Sequence, residues 1–255
     1  MTEDHKISTR FATGFPSRQA MIDIFKGDWK AALPPEFNVK AGPHEHFMSD
    51  KRVLWAEKIL PGGFVGKSVL ELGPFEAYAT RLMERLGARR VVAIEAKNIS
   101  LLKCLVLKEA TGRGAEFLHG DFLVYLKNAP ETFHIIWASG VLYRSVDPGV
   151  LLEQAARVSD SLYLWTHYVS DALMQTPQAG LFEPQRNRQV EVGGVPVEYH
   201  VRSYRLNYDD LPLHYKEGRR TTPAGSRGPI CWRPSAAAGI SRWRSRKRGR
   251  SATCR

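Results

Sequence analysis

Short apolar runs alternate along this chain with stretches of helical spacing. Residues 68–72 (Ser-Val-Leu-Glu-Leu) form one such run between Gly66 and Gly73, the pattern of a strand buried on both faces. Gly73 ends it, because a sharp strand-to-helix turn favours a residue without a Cβ. Residues 77–86 then read as an amphipathic helix, with Leu82, Met83 and Leu86 on one side and Arg81, Glu84 and Arg85 on the other. Gly87 stops it. A second apolar run, 91–94, closes on Glu95, which gives a β-α-β unit with an acid 22 positions after Gly73.

The pattern extends in both directions. Upstream, residues 19–26 have helical spacing with Ala20, Met21, Ile24 and Phe25 as an apolar stripe. Asp50 is placed to cap a helix over 51–60, which Pro61-Gly62-Gly63 terminates. Downstream, a helix over 98–109 is expected to turn Leu101, Leu102, Leu105 and Val106 toward the sheet. A strand over 115–119, a helix over 122–127 and a strand over 133–138 follow. Asp147 and Pro148 open a helix through 158, and 161–166 is a fifth strand. Residues 173–193 are polar and read as an insertion, 190–197 as a hairpin turning at Gly193-Gly194, and 201–206 as its extension. The expected fold is α/β: a Rossmann-like, doubly wound, mostly parallel sheet with an N-terminal helical segment.

The first unit suits a nucleoside-bearing cofactor. Its glycine turn lets backbone approach a ligand, and an acid about 20 residues on accepts both ribose hydroxyls. The turn is Gly73-Pro74-Phe75-Glu76-Ala77-Tyr78, without the three glycines of a pyrophosphate cradle. Pro74 has no N–H and Phe75 adds bulk, which disfavours NAD or FAD and suits a cofactor without phosphate, such as S-adenosylmethionine.

Four blocks, Val69-Leu70-Glu71-Leu72-Gly73, residues 91–95, His119-Gly120-Asp121-Phe122 and residues 136–143, resemble in order and spacing the class I S-adenosylmethionine-dependent methyltransferases. The resemblance is nearest to a bacterial branch with a Leu-Glu-Leu-Gly-Pro first motif, and covers about residues 14–210. It implies a cofactor between the ends of strands one, two and four, bordered by Glu71, Gly73, Pro74, Glu76, Glu95, Ala96, Asp121, Phe122 and Ser139. Glu71 and Glu76 fall at its methionine end. Asp121 has a second reading as the N-cap of the helix that follows. By the same resemblance residues 11–60 form a lid, within a segment spanning 1–60, ahead of a methyltransferase domain over 61–218. The 173–210 excursion covers substrate.

The loop after the fourth strand carries Tyr143 and Arg144 and lies on the ligand side of a parallel sheet. Related enzymes often have a histidine after that tyrosine. Here it is Arg144, a better anion contact than base. His167, after the fifth strand, is the candidate base or a structural histidine. Tyr143 donates to substrate or packs. Cys104 reads as a packed thiol. His44 and His46 form a His-Glu-His loop with no third ligand, so no metal is expected.

No apolar run approaches the length of a membrane span, the N-terminus lacks a secretory pattern, and three cysteines set no disulfide framework. A cytoplasmic protein is expected. The net charge of +11 is local: residues 219–255 hold 11 basic residues and no acid, whereas the other 218 residues balance 26 against 26. The neutral body favours a small-molecule methyl acceptor, modified on oxygen or nitrogen. RNA, met by the basic tail through Trp243 and its arginines, is the enzymatic alternative, and an inactive binding module the non-enzymatic one. The tail lacks both acids and periodicity, as disordered chains do. Because a domain of this kind still needs two closing strands, a shifted reading frame accounts for it better than a solvated arm. Sequencing the locus and finding an intact frame would exclude that explanation.

Overall fold

The computed structural model describes residues 11–45, 49–112, 114–145, 147–169, 171–182, 184–201 and 230–233. In chain order the elements are α1 (Arg18–Ile22), α2 (Lys51–Ile59), β1 (Ser68–Leu72), α3 (Tyr78–Arg85), β2 (Arg90–Glu95), α4 (Asn98–Thr111), β3 (Glu116–His119), α5 (Phe122–Lys127), β4 (Ile135–Ser139), α6 (Pro148–Val158), β5 (Leu162–Trp165), α7 (Asp171–Met174), β6 (Arg188–Val192), β7 (Val195–Val201) and β8 (Ile230–Arg233). A five-stranded sheet has the order β3-β2-β1-β4-β5. The pairs β1–β4, β2–β3 and β4–β5 are parallel. The chain thus winds first to one side of β1 and then to the other, the doubly wound pattern that the alternation predicts. No helix among the described residues is long and apolar enough to cross a membrane.

The chain divides into two compact units, residues 1–68 with 74–119, and residues 69–73 with 120–255. In the first, Ile22, Phe25, Trp29 and Ala31 pack with Ala77, Cys104, Leu107 and Ala110. Two expectations about facing are corrected here. The stripe predicted for 19–26 fails because α1 tightens into a 3-10 turn at Asp23–Phe25. That change of pitch buries Ile22 and Phe25 together and leaves Ile24 58% exposed. On α4 the buried face is Ser100, Lys103, Cys104, Leu107, Ala110 and Thr111, while Leu105 faces out. The stripe runs through a lysine because a buried acid awaits it. Gly42 is fixed by close approach: a Cβ there would lie 2.4 Å from the Lys30 carbonyl carbon, where His44 pairs with Ala31.

In the second unit β1 is buried along its length, as a strand covered on both faces is. Trp137 of β4 stacks on Tyr163 of β5 at 3.7 Å. The hairpin β6–β7 forms as predicted, turning at Gly193-Gly194, both at positive φ. β8 pairs antiparallel with β7 inside the 219–255 stretch, where patterning predicts no strand. The rest of that tail, with its arm and frame-shift readings, and residues 202–206 lie outside the described residues.

Tyr199 ties this hairpin to α6. Its buried hydroxyl accepts the Gly149 N–H at 2.7 Å and donates to Asp147 Oδ1 at 3.2 Å. Burial pushes its phenol up to about 12, and the Asp147 charge adds to the rise. Because the folded pKa lies above the ordinary 10.0, the hydroxyl's contribution is complete below pH 10 and is lost as pH rises through about 12. Tyr199→Phe strands a buried N–H and is expected to cost about 1–3 kcal/mol in denaturant unfolding.

Candidate active site

In the first unit the turn after the first strand is built on left-handed backbone. Phe75 (φ 60°) and Ala77 (φ 55°) both occupy the region that favours glycine, and the Ala77 N–H closes a turn on the Pro74 carbonyl at 2.8 Å. This conformation aims the Phe75 N–H at Glu95 Oε2, 3.1 Å away. The Lys97 N–H meets Oε1 at 2.9 Å. Glu95, at the carboxyl end of β2, is 9% exposed. Burial raises its carboxyl above the ordinary 4.5, and the N–H groups of Lys97, Phe75 and Ala96 oppose that rise. The carboxylate is thus oriented by backbone and partly desolvated at the carboxyl end of its strand. The neighbouring Ala96 carbonyl lies 3.3 Å from His119 Nε2.

Glu76 departs from expectation. It is fully buried, and both of its oxygens are engaged by protein donors. Its oxygens accept the Lys30 N–H at 2.9 and 3.1 Å, the Ala31 N–H at 3.0 Å and Lys103 Nζ at 3.1 Å. These bonds tie Glu76 to the 28–31 stretch and to α4. Cys104 is buried, its Sγ 3.4 Å from the Phe75 carbonyl, and is the packed thiol that its sequence context predicts.

In the second unit Glu71 is buried within β1 beside Trp137 of β4. Gly73 has φ +68°, and a Cβ there would come 3.0 Å from Val141 Cγ1. Asp121 caps α5: its Oδ1 accepts from Leu123 at 2.7 Å and Val124 at 3.4 Å. The capping reading therefore holds, and it uses only one carboxylate oxygen, so the carboxylate keeps acceptor capacity. Phe122 opens α5 half-buried, and Ser139 ends β4, paired with Trp165 of β5.

Tyr143, Arg144 and His167 come together. The Tyr143 and His167 rings stack with centroids 4.3 Å apart and planes 11° from parallel. The Arg144 guanidinium lies 5.4 Å from the Tyr143 ring centre. Trp165 meets His167 edge-on at 5.7 Å. Sequence reasoning took Trp165 only as a strand residue. Its position at the carboxyl end of a parallel strand is the signal that would have found it. Among the described residues no three metal-ligating side chains cluster, and His46 lies outside them.

No family model matches the sequence, and no curated protein matches it either. Solved structures do. The N-terminal domain of EvdMO1 with SAH bound is 21% identical, with a TM-score of 0.53 over 76% of each chain. The same domain in the presence of SAH and D-fucose is 22% identical, with a TM-score of 0.51 over 71% of this chain and 70% of that one. The likeness is one of fold, a Rossmann-like, mostly parallel sheet flanked by helices, shared with these SAH-bound domains.

Proposed function

We propose that the chain transfers a methyl group from S-adenosylmethionine to a hydroxyl of a small-molecule acceptor. The observation that carries this reading is Glu95, a buried carboxylate at the end of β2 held by the N–H groups of Phe75 and Lys97. Such an acceptor suits the paired hydroxyls of a ribose. Gly73 gives the cofactor close access to backbone, with Pro74, Ala96 and Ser139 beside it. Asp121 takes the adenine amino group on its second oxygen, the Phe122 N–H reads the ring, and Glu71 lies behind the methionine end.

The cofactor supplies an electrophilic methyl on a sulfonium. The chain's own task is to bring the acceptor oxygen in line with it and to remove the acceptor's proton, positioning being the larger part. His167 takes that proton, stacking on Tyr143 fixes the plane of its ring, and Arg144 faces an acceptor with negative charge. As the new C–O bond forms, the C–S electron pair returns to sulfur. The EvdMO1 domain crystallised with D-fucose favours a sugar hydroxyl as the first acceptor class to screen. The test is transfer of labelled methyl to deoxysugars and to phenols, with His167→Gln as control. The variant is expected to lose about 10²–10⁴-fold in kcat while S-adenosylhomocysteine affinity stays native. A variant turning over at the native rate removes His167 from the chemistry, and native protein inert toward both classes contradicts the acceptor reading.

A further inference from the structure

Lys103 sits in the middle of the buried face of α4, only 3% exposed, and belongs to no part of the chemistry above. Its ammonium meets Glu76 Oε1 at 3.1 Å, the Asp28 carbonyl at 2.6 Å and Asp28 Oδ2 at 2.9 Å. It also lies 5.4 Å from the centre of the Trp29 ring. Glu76 in turn grips the N–H groups of Lys30 and Ala31. Three stretches remote in sequence, 28–31, 76 and 103, are therefore joined at one fully buried charge pair.

Glu76 stands between Phe75 and Ala77, both held at positive φ. Each such residue is held in a conformation that disfavours a Cβ. The turn keeps this shape only while something over-determines it. Burying a lysine and a glutamate is a poor source of stability, since an apolar pair of similar volume usually does as well. What the pair supplies is a fixed geometry.

We propose that Glu76 and Lys103 are positioning residues for the cofactor site. They couple docking of residues 28–31 to the shape of the 75–77 turn and, through the Phe75 N–H, to the orientation of Glu95. The inference rests on the reading of Glu95 as the ribose acceptor. It makes cofactor affinity depend on two side chains that do not touch the cofactor.

The test uses the full chain. Lys103→Met alone leaves Glu76 buried and uncompensated and is expected to unfold readily, so the informative variant is Glu76→Met with Lys103→Met, in which no charge is stranded. In this folded double variant, calorimetric titration is expected to show S-adenosylhomocysteine binding weakened about tenfold, the size of coupling between neighbouring groups. Adding Glu95→Ala is then expected to cost less than it does in the native chain. A folded double variant with native affinity, or an undiminished Glu95→Ala effect, overturns the proposal. Hydrogen exchange separates this failure from that of the cofactor reading. Without any ligand, the amides of Phe75, Lys30 and Ala31 are expected to exchange faster in the double variant, and unchanged exchange overturns the proposal even if the native chain binds no cofactor.

Discussion

Replacing Glu95 by alanine is expected to weaken S-adenosylmethionine binding by about 10- to 100-fold. Loss of a single hydrogen bond to an ionised acceptor, worth about 1.5–3 kcal/mol, already sets that range. Loss of the Glu95 side chain also strands the N–H groups of Phe75 and Lys97, so the melting temperature should fall as well, and affinity is compared under conditions where the variant is folded. The same residue gives the binding a pH dependence. Burial raises its carboxyl above the ordinary 4.5, and only the ionised form accepts from both hydroxyls. Affinity is therefore full well above that raised value and falls as pH drops through it, while Glu95→Gln starts weaker and stays nearly flat. For folding the sign is opposite. A carboxyl raised in the folded state contributes stability that is complete below its unfolded pKa and is lost as pH rises through its folded one. A titration series from neutral to mildly acidic pH, on both proteins, reads the first effect directly.

Trp137→Ala is expected to be the most damaging single truncation, costing about 3–5 kcal/mol in denaturant unfolding. Trp137 is 1% exposed in the middle of β4, in register with Glu71 on one side and Tyr163 on the other. Its ring lies 3.7 Å from that of Tyr163, with planes 10° apart. Truncation removes the largest fully buried side chain of the second unit, and the stacked partner cannot collapse into the space without moving β5. Trp137→Phe keeps a stacking ring and should recover more than half of the loss. An alanine variant that unfolds at the native denaturant midpoint would mean that the β4–β5 layer is not packed as described.

The strands and helices were legible because each is encoded locally. The apolar run at 68–72, the Gly73 break and the amphipathic 77–86 stretch give β1, the turn and α3 within a residue or two. Asp50, Asp121 and Asp147 were readable as N-caps for the same reason, and each side chain accepts a backbone N–H in the first turn of its helix. The cost of the first-motif turn was half legible. Phe75 and Ala77 stand where glycine is at ease, and the sequence showed only that the three glycines of a pyrophosphate cradle are missing there.

What stayed hidden is long-range charge pairing. Glu76 and Lys103 are 27 residues apart, and each alone reads as a solvated charge, so Glu76 was assigned to the ligand and α4 was rotated away from its true face. A signal existed. Ser100, Cys104, Leu107 and Ala110 form a helical stripe of small and apolar residues with Lys103 at its centre, and a lysine so placed needs an acid across from it. Likewise Tyr143, Arg144 and His167 were legible as positions at strand ends, but their stacking depends on the register of β4 against β5, which no local pattern carries.

The central claim, that this fold holds a sulfonium cofactor at Glu95, is tested most directly by calorimetric titration of S-adenosylhomocysteine into the native chain alongside Glu95→Ala. The account predicts one site per chain with micromolar affinity, lost or severely weakened in the variant. A folded native protein that releases no heat, or a variant that binds as tightly as the native chain, would contradict it.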